Sequence, residues 1–197
     1  MNKLKVAGIA GFVATFFVFA CILAAVASWS QFSWTNNALS DLGVQAGATA
    51  AIFNIGLVVG GLLFIVFASG LFGFIGKRLV GKVGATVFVL ACIMLIAIGI
   101  FNENFSPTHY IVSVGLFTLM PISLLVLVAA FWVEGKHKMS VATLALALFA
   151  AVVWVAEFTV NYVQGVAIPE FASGLAGAAW VLAVSYLMLK LASKEHS

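Results

Sequence analysis

Six long apolar runs divide the chain, at residues 5–29, 49–75, 83–101, 110–133, 141–163 and 171–192. They are apolar nearly throughout and show no alternation of period two, so the pattern predicts helices rather than strands. A run of about 20 apolar residues, rising about 1.5 Å each, crosses the roughly 30 Å hydrocarbon layer of a bilayer. The expected fold is therefore all-α: one polytopic six-helix transmembrane bundle covering residues 1–197. The first run begins after the basic "MNKLK" and ends near "AVAS", a signal-peptide-like pattern. Its apolar stretch is longer than a signal core, so it is read as a retained span.

The polar connections are short except one. Residues 30–48 contain "SWTNNALSDLG" between the first two runs. Trp29 and Trp34 suit the headgroup layer, Asn36 or Asn37 could cap a short helix, and Gly43 could end it in a left-handed conformation. A short interfacial helix over the mouth of the bundle is expected, with a solvated loop as the alternative. Gly56, Gly60 and Gly61 in the second run, and Ser173, Gly174 and Gly177 in the sixth, would let helix backbones approach closely. These faces could also bind a membrane-protein partner or a second copy of the chain. Pro121 is expected to kink the fourth helix.

Composition agrees with a bilayer: 64% of residues are hydrophobic and 8% charged, against about 25% charged in a soluble domain. Charge placement adds orientation. All nine basic residues, Lys3, Lys5, Lys77, Arg78, Lys82, Lys136, Lys138, Lys190 and Lys194, fall on one side of the predicted bundle. Asp41, Glu103, Glu157 and Glu170 fall on or near the other, while Glu134 and Glu195 join the basic side. The positive-inside rule then puts both termini in the cytoplasm and the protein in the cell membrane. The same distribution argues against nucleic acid as a partner, because the cations flank helices instead of forming one stripe. Cys21 and Cys92 differ in expected depth by about 10 Å, too far for a disulfide, and are read as small packing residues. No metal-type Cys/His spacing, phosphate-cradling Gly loop or nucleophile elbow occurs, so no metal site or cofactor can be named.

Candidate chemistry lies on the acidic side. Polar groups inside a membrane usually face a cavity or one another. Glu157 lies about six residues below the end of its run, with Asn161 four residues on and on the same helical face. With no Lys or Arg nearby, it needs a hydrogen-bond partner, a proton or a cation. Asn54 could join helices or line the same cavity. His109 opens the fourth run, with Ser113 one turn deeper; His137 and His196 belong to the basic clusters. Taken singly, these residues have structural readings: His109 as a helix-end hydrogen-bonding group, Glu103 as solvated, Glu170 as the acid at a helix N-terminus. Their shared placement instead suggests one polar centre of Asp41, His109 and Glu157, the candidate catalytic residues. Asn54, Asn161, Ser40, Ser113, Glu103 and Glu170 are the candidate ligand-binding residues. One His with several carboxylates could hold a divalent metal, but lacks the second nitrogen or sulfur ligand expected of catalytic zinc.

"NALSDLG", "AIFNIG" opening the second run, His109 opening the fourth and "IPE" before the sixth together resemble domain-of-unknown-function family 998, a group of prokaryotic, often archaeal, membrane proteins. The resemblance spans nearly the whole chain. It implies a six-helix fold with Ser40, Asp41, Gly43, Asn54 and His109 at recurring positions, and it implies no activity. More distantly, the chain is similar to Frag/DRAM-type proteins, which share a Ser-Asp-x-Gly loop. Members of the Frag type are linked to remodelling lipid anchors on the lumenal side, equivalent to the outer side here. The seven-helix ceramidase-like hydrolases carry several histidines that this chain lacks.

Three functions follow as expectations. In the first, an outward-facing polar cavity binds, and could process, a lipid headgroup. In the second, Glu157 serves a proton- or cation-coupled transporter, with Pro121 supporting alternating access. In the third, the chain is a structural subunit of a membrane complex.

Overall fold

The computed structural model describes residues 2–194; Glu195 and His196, assigned above to the basic side, lie outside the described residues. The helices are α1 (Lys3–Ser28), α2 (Ala48–Phe74), α3 (Leu79–Ile100), α4 (Thr108–Val133), α5 (His137–Val160) and α6 (Ala167–Lys194). Two turns of 3-10 helix, Ser40–Val44 and Glu103–Phe105, lie in the connections, and no strand occurs among the described residues. All six α-helices are long and apolar enough to cross a membrane, and the chain is an integral, multi-pass membrane protein. A bilayer cannot hydrogen-bond the backbone, so helices that satisfy it internally are the physical outcome of such runs.

The helix ends differ from the apolar runs in instructive ways. α3, α5 and α6 begin about one turn earlier than the runs do, because a helix's terminal turn can hold polar residues such as Lys82 and Lys138. Pro169 fits inside the first turn of α6, where its missing N–H would have no intrahelical partner in any case. α5 stops at Val160 because Asn161 takes a left-handed conformation with φ of 52° and caps the helix. Asn is among the few residues that tolerate this conformation. Glu157 and Asn161 consequently do not share a helical face, contrary to the sequence expectation.

Consecutive helices pack side by side and α6 closes onto α1, making a ring. Close approach depends on glycine where α2 meets α1: a Cβ at Gly56 or Gly60 would run into Cys21 or Val18. Cys21 and Cys92 are both free thiols. At the basic end, Arg78 Nε pairs with Glu134 Oε1 at 3.4 Å. Lys136 Nζ donates to the Phe74 carbonyl at 2.6 Å, over the Phe74 ring. Burial pushes the Lys136 ammonium below its usual range, and Glu134 opposes the shift.

The ring is filled unequally. Toward the basic end, Phe67, Phe88 and Trp180 meet with centroids 5.4–6.1 Å apart. Such pairs add about 0.5–1.5 kcal/mol each beyond their burial. Trp180 Nε1 donates to Thr143 Oγ1 at 3.0 Å, which satisfies the buried indole. Leu71, Leu124, Leu127, Phe131 and Met188 complete a solid plug. Toward the acidic end a second cluster forms around Leu42, Phe53, Leu57 and Ile98, and it leaves space at the axis. Pro121 lies inside α4 without ending it, and its ring faces that space.

Candidate functional site

The roof over that space is the connection from α1 to α2. Asn37 organises it: its Oδ1 accepts from the Ser33 N–H at 2.9 Å, and its Nδ2 donates to Asp41 Oδ2 at 2.6 Å. The Ala38 N–H also donates to Asp41 Oδ2, at 3.1 Å. Asp41 therefore folds its own loop. The Gly165 and Ala167 N–H groups donate to the Thr35 and Asn37 carbonyls at 2.8 and 2.9 Å, tying the roof to the start of α6. From the other side, the Gly43 carbonyl accepts from Asn54 Nδ2 at 2.9 Å and Asn102 Nδ2 at 3.2 Å. Leu39 and Leu42 are buried beneath the roof.

Two expectations for this loop need correction. The Ser40–Val44 turn follows Leu39 and has no side-chain cap, so neither Asn36 nor Asn37 caps it. Asn37 is already occupied with Ser33 and Asp41. Nor does Gly43 end the turn in a left-handed conformation; the positive φ in this connection is at Gly47, 75° with ψ of −142°, just before α2. Gly43 is needed for space, because a Cβ there would lie 2.7 Å from Asn54 Oδ1.

A group of polar side chains gathers under and beside the roof. The Leu39 N–H donates to Glu170 Oε2 at 2.6 Å. Glu103 lies near Ser40, Asp41 and His109. Burial raises the Glu103 carboxyl above the usual range, and the neighbouring Asp41 adds to the rise. The charges of Glu103 and Asp41 in turn reach Glu170. Ser40, Asp41, Glu103, His109 and Glu170 thus converge from the first connection, the α3–α4 connection, α4 and α6.

His109 is oriented by its backbone neighbour. Its Nδ1 lies 2.7 Å from the Phe101 carbonyl. A carbonyl only accepts, so Nδ1 carries the proton. Nε2 then faces Ser113 Oγ at 3.4 Å. Ser113 also lines the axial space, so the histidine acts on that wall through Ser113.

Glu157 and Asn161 stand outside this group. Glu157 is 4% exposed, on the α5 face that also carries Ala150 and Trp154, and its Oε2 has no hydrogen-bond partner. It does not line the axial space, and no hydrogen bond joins it to Asp41, Glu103, His109 or Glu170. Asn161 is exposed at the end of α5. Asn54 supports the roof through Gly43, while its Oδ1 is buried without a partner. Sequence reasoning expected a short helix over the mouth of the bundle, but it missed how Leu39, Leu42, Asn37 and Asn102 hold this connection in place. The Asn37–Asp41 spacing of four residues was the one available signal. No group of three or more His, Cys, Asp or Glu side chains suited to a metal occurs among the described residues.

The axial cavity has a volume of about 140 Å³. Its wall is almost wholly apolar, with Val18, Phe53, Leu57, Leu95, Leu116 and Phe117 among the lining residues. Ser40, Ser113 and Glu170 supply polar groups where it meets the roof, and Ser173 adds another on α6. The Ser173 hydroxyl is already engaged, donating to the Pro169 carbonyl at 2.7 Å and accepting from Trp154 Nε1 at 3.2 Å. An apolar cavity of about 150 Å³ accommodates a benzene-sized group, so this space suits a short hydrocarbon segment.

Residues 12–187 match the sequence profile described as protein of unknown function, DUF998. The chain belongs to the DUF998 family. Comparison with curated proteins and with solved structures finds no match. The DUF998 match extends from α1 into α6 and includes the roof, the polar group and every residue lining the cavity.

Proposed function

We propose that this DUF998 protein binds an amphipathic, lipid-like ligand from the outer leaflet. Its hydrocarbon segment would enter the axial cavity, and its headgroup would meet Ser40, Glu103, Glu170 and Asp41. The observation that carries this reading is the union of the two features: an apolar cavity whose polar end belongs to a carboxyl cluster. Each buried methylene of a ligand contributes about 0.8 kcal/mol. Three carboxyl groups with no Lys or Arg beside them favour an amine, choline-like or hydroxyl-rich headgroup over an anionic one. The outward orientation rests on the one-sided placement of the basic residues.

The test is extraction in a mild detergent followed by native mass spectrometry of retained lipid. Gly174→Leu fills the cavity where a Cβ meets only Phe19, at 3.7 Å, and Glu170→Gln weakens the headgroup end. The wild type should retain an amphiphile that both variants lose. A wild type that binds none, or variants that bind it equally well, would overturn the reading.

One observation favours a second reading, in which the bound lipid is also processed. The Nδ1 proton leaves the Nε2 lone pair of His109 directed at Ser113, on the cavity wall. In that case His109→Ala changes lipid composition in cells, while ligand retention is unaffected. Transport gains nothing from the fold, since the Phe67–Phe88–Trp180 plug fills the axis toward the basic end. Assembly through glycine faces gains nothing from Gly56 and Gly60, which are occupied by α1 within the chain.

A further inference from the structure

A second cavity lies at the opposite end of the bundle, and it is independent of the reading above. It is a groove of about 820 Å³ between the start of α5 and the last turns of α6, within the size range of small-molecule sites. Met139, Leu187 and Leu191 give it apolar walls, and Lys138, Lys190 and His137 supply cationic or titratable rims. Lys136 also borders it, although its ammonium is held by the Phe74 carbonyl.

Among the described residues, no carboxylate lines this groove. Glu134, the acid of the described residues at this end, pairs with Arg78 and packs against Gly76. The positive-inside tendency accounts for lysines at this end of the helices. It does not account for several of them bordering one groove from two helices.

The backbone adds a separate feature. α5 begins at His137 with no side-chain cap and no acid in its first turn. The Ser140 N–H bonds to the Lys136 carbonyl at 3.0 Å. The N–H groups of His137, Lys138 and Met139 precede that bond and have no intrahelical acceptor. All three residues line the groove. Free N–H groups and the positive end of the helix dipole favour an anion there, as the lysines do.

The surroundings select the kind of anion. Leu191 on the groove wall is 44% exposed, and Trp132, 56% exposed, packs against His137 with ring centroids 4.5 Å apart. An exposed tryptophan at a helix end belongs to the headgroup layer, so the groove opens where lipid phosphates lie. We propose that this groove binds the phosphate of an anionic phospholipid, with the acyl chains lying along Leu187 and Leu191.

The experiment uses the full chain in nanodiscs of phosphatidylcholine containing a fixed fraction of phosphatidylglycerol, with retained lipids counted by native mass spectrometry. The wild type should enrich phosphatidylglycerol, and Lys138→Gln with Lys190→Gln should weaken that preference by about tenfold or more. Lys138→Glu alone, which puts an acid on the rim, should abolish it. Lys77→Gln with Lys82→Gln removes the same charge outside the groove and should leave the preference intact. Equal retention of the two lipids by the wild type, or equal losses in both double variants, would overturn the proposal. So would displacement of the lipid by soluble glycerol phosphate at low concentration, which would mark a site for free anions.

Discussion

The backbone N–H of Leu39 donates to Glu170 Oε2 at 2.6 Å, joining residues 131 apart in sequence. This bond fastens the roof of the cavity to the first turn of α6. It also places the Glu170 carboxyl at the cavity's polar end. One side chain therefore closes the bundle and shapes what the bundle can bind.

Glu170→Ala removes that bond and leaves the Leu39 N–H without its acceptor, at a cost of about 1–3 kcal/mol. Glu170→Gln retains an amide oxygen to accept the bond and should lose less. Thermal unfolding in detergent, followed by the fluorescence of Trp34, reports on the roof because Trp34 packs edge-on to Phe171 at 5.1 Å. Equal losses in the two variants would show that the bond does not hold the roof.

Glu103 makes the roof sensitive to pH. Its folded-state pKa is raised, chiefly by burial and further by Asp41. Above the ordinary carboxylate value of about 4.3, the unfolded chain releases this proton while the folded chain keeps it. The contribution of Glu103 to stability is thus complete below that value and is lost as pH rises through the raised one. Melting temperature should fall across this interval in the wild type, and Glu103→Gln should flatten the fall. An unchanged slope in the variant would assign the effect to another group.

Gly43→Ala sets a methyl against Asn54 Oδ1, at 2.7 Å, and Phe53 Cδ1, at 3.3 Å. Overpacking of this kind costs about 1–3 kcal/mol. Asn54→Ala opens the space but forfeits the 2.9 Å bond to the Gly43 carbonyl. The double variant should be less destabilised than the two single effects combined, because the clash needs both side chains. Additive losses in a double-mutant cycle would argue that Gly43 is not there for space.

His109→Asn can keep a donor near the Nδ1 position, whereas His109→Gln extends its amide toward the Nε2 position. If the proton on Nδ1 holds the Phe101 carbonyl, the Asn variant should melt close to the wild type. The Gln variant should lose about 1 kcal/mol, the usual net value of such a bond. The reverse order would show that Nε2 carries the structural hydrogen bond.

Much of the architecture is legible in the hydrophobic pattern. Runs longer than about 20 apolar residues can satisfy their backbone in a bilayer only as helices, and six such helices form. The sequence also marked Ser40, Asp41, Glu103, His109 and Glu170 as polar residues toward one end, and these five converge. It could not rank them. Glu157 drew attention as the deepest acid, yet it lies apart from the group and away from the cavity lining. Asn161 drew attention by helical spacing, but a left-handed turn at that residue ends the helix on which the spacing depended.

The sequence by itself determined the helices and the segregation of charge, because both follow from local runs of residues in contact with a uniform apolar solvent. Only the tertiary structure decided that Asp41 folds its own loop, that Gly43 makes room for Asn54, and that Glu170 reaches back to Leu39. It also decided that the axis is solid toward one end and hollow toward the other. These outcomes depend on which side chains meet across the ring, and a contact between residues 131 apart leaves no periodic trace along the chain.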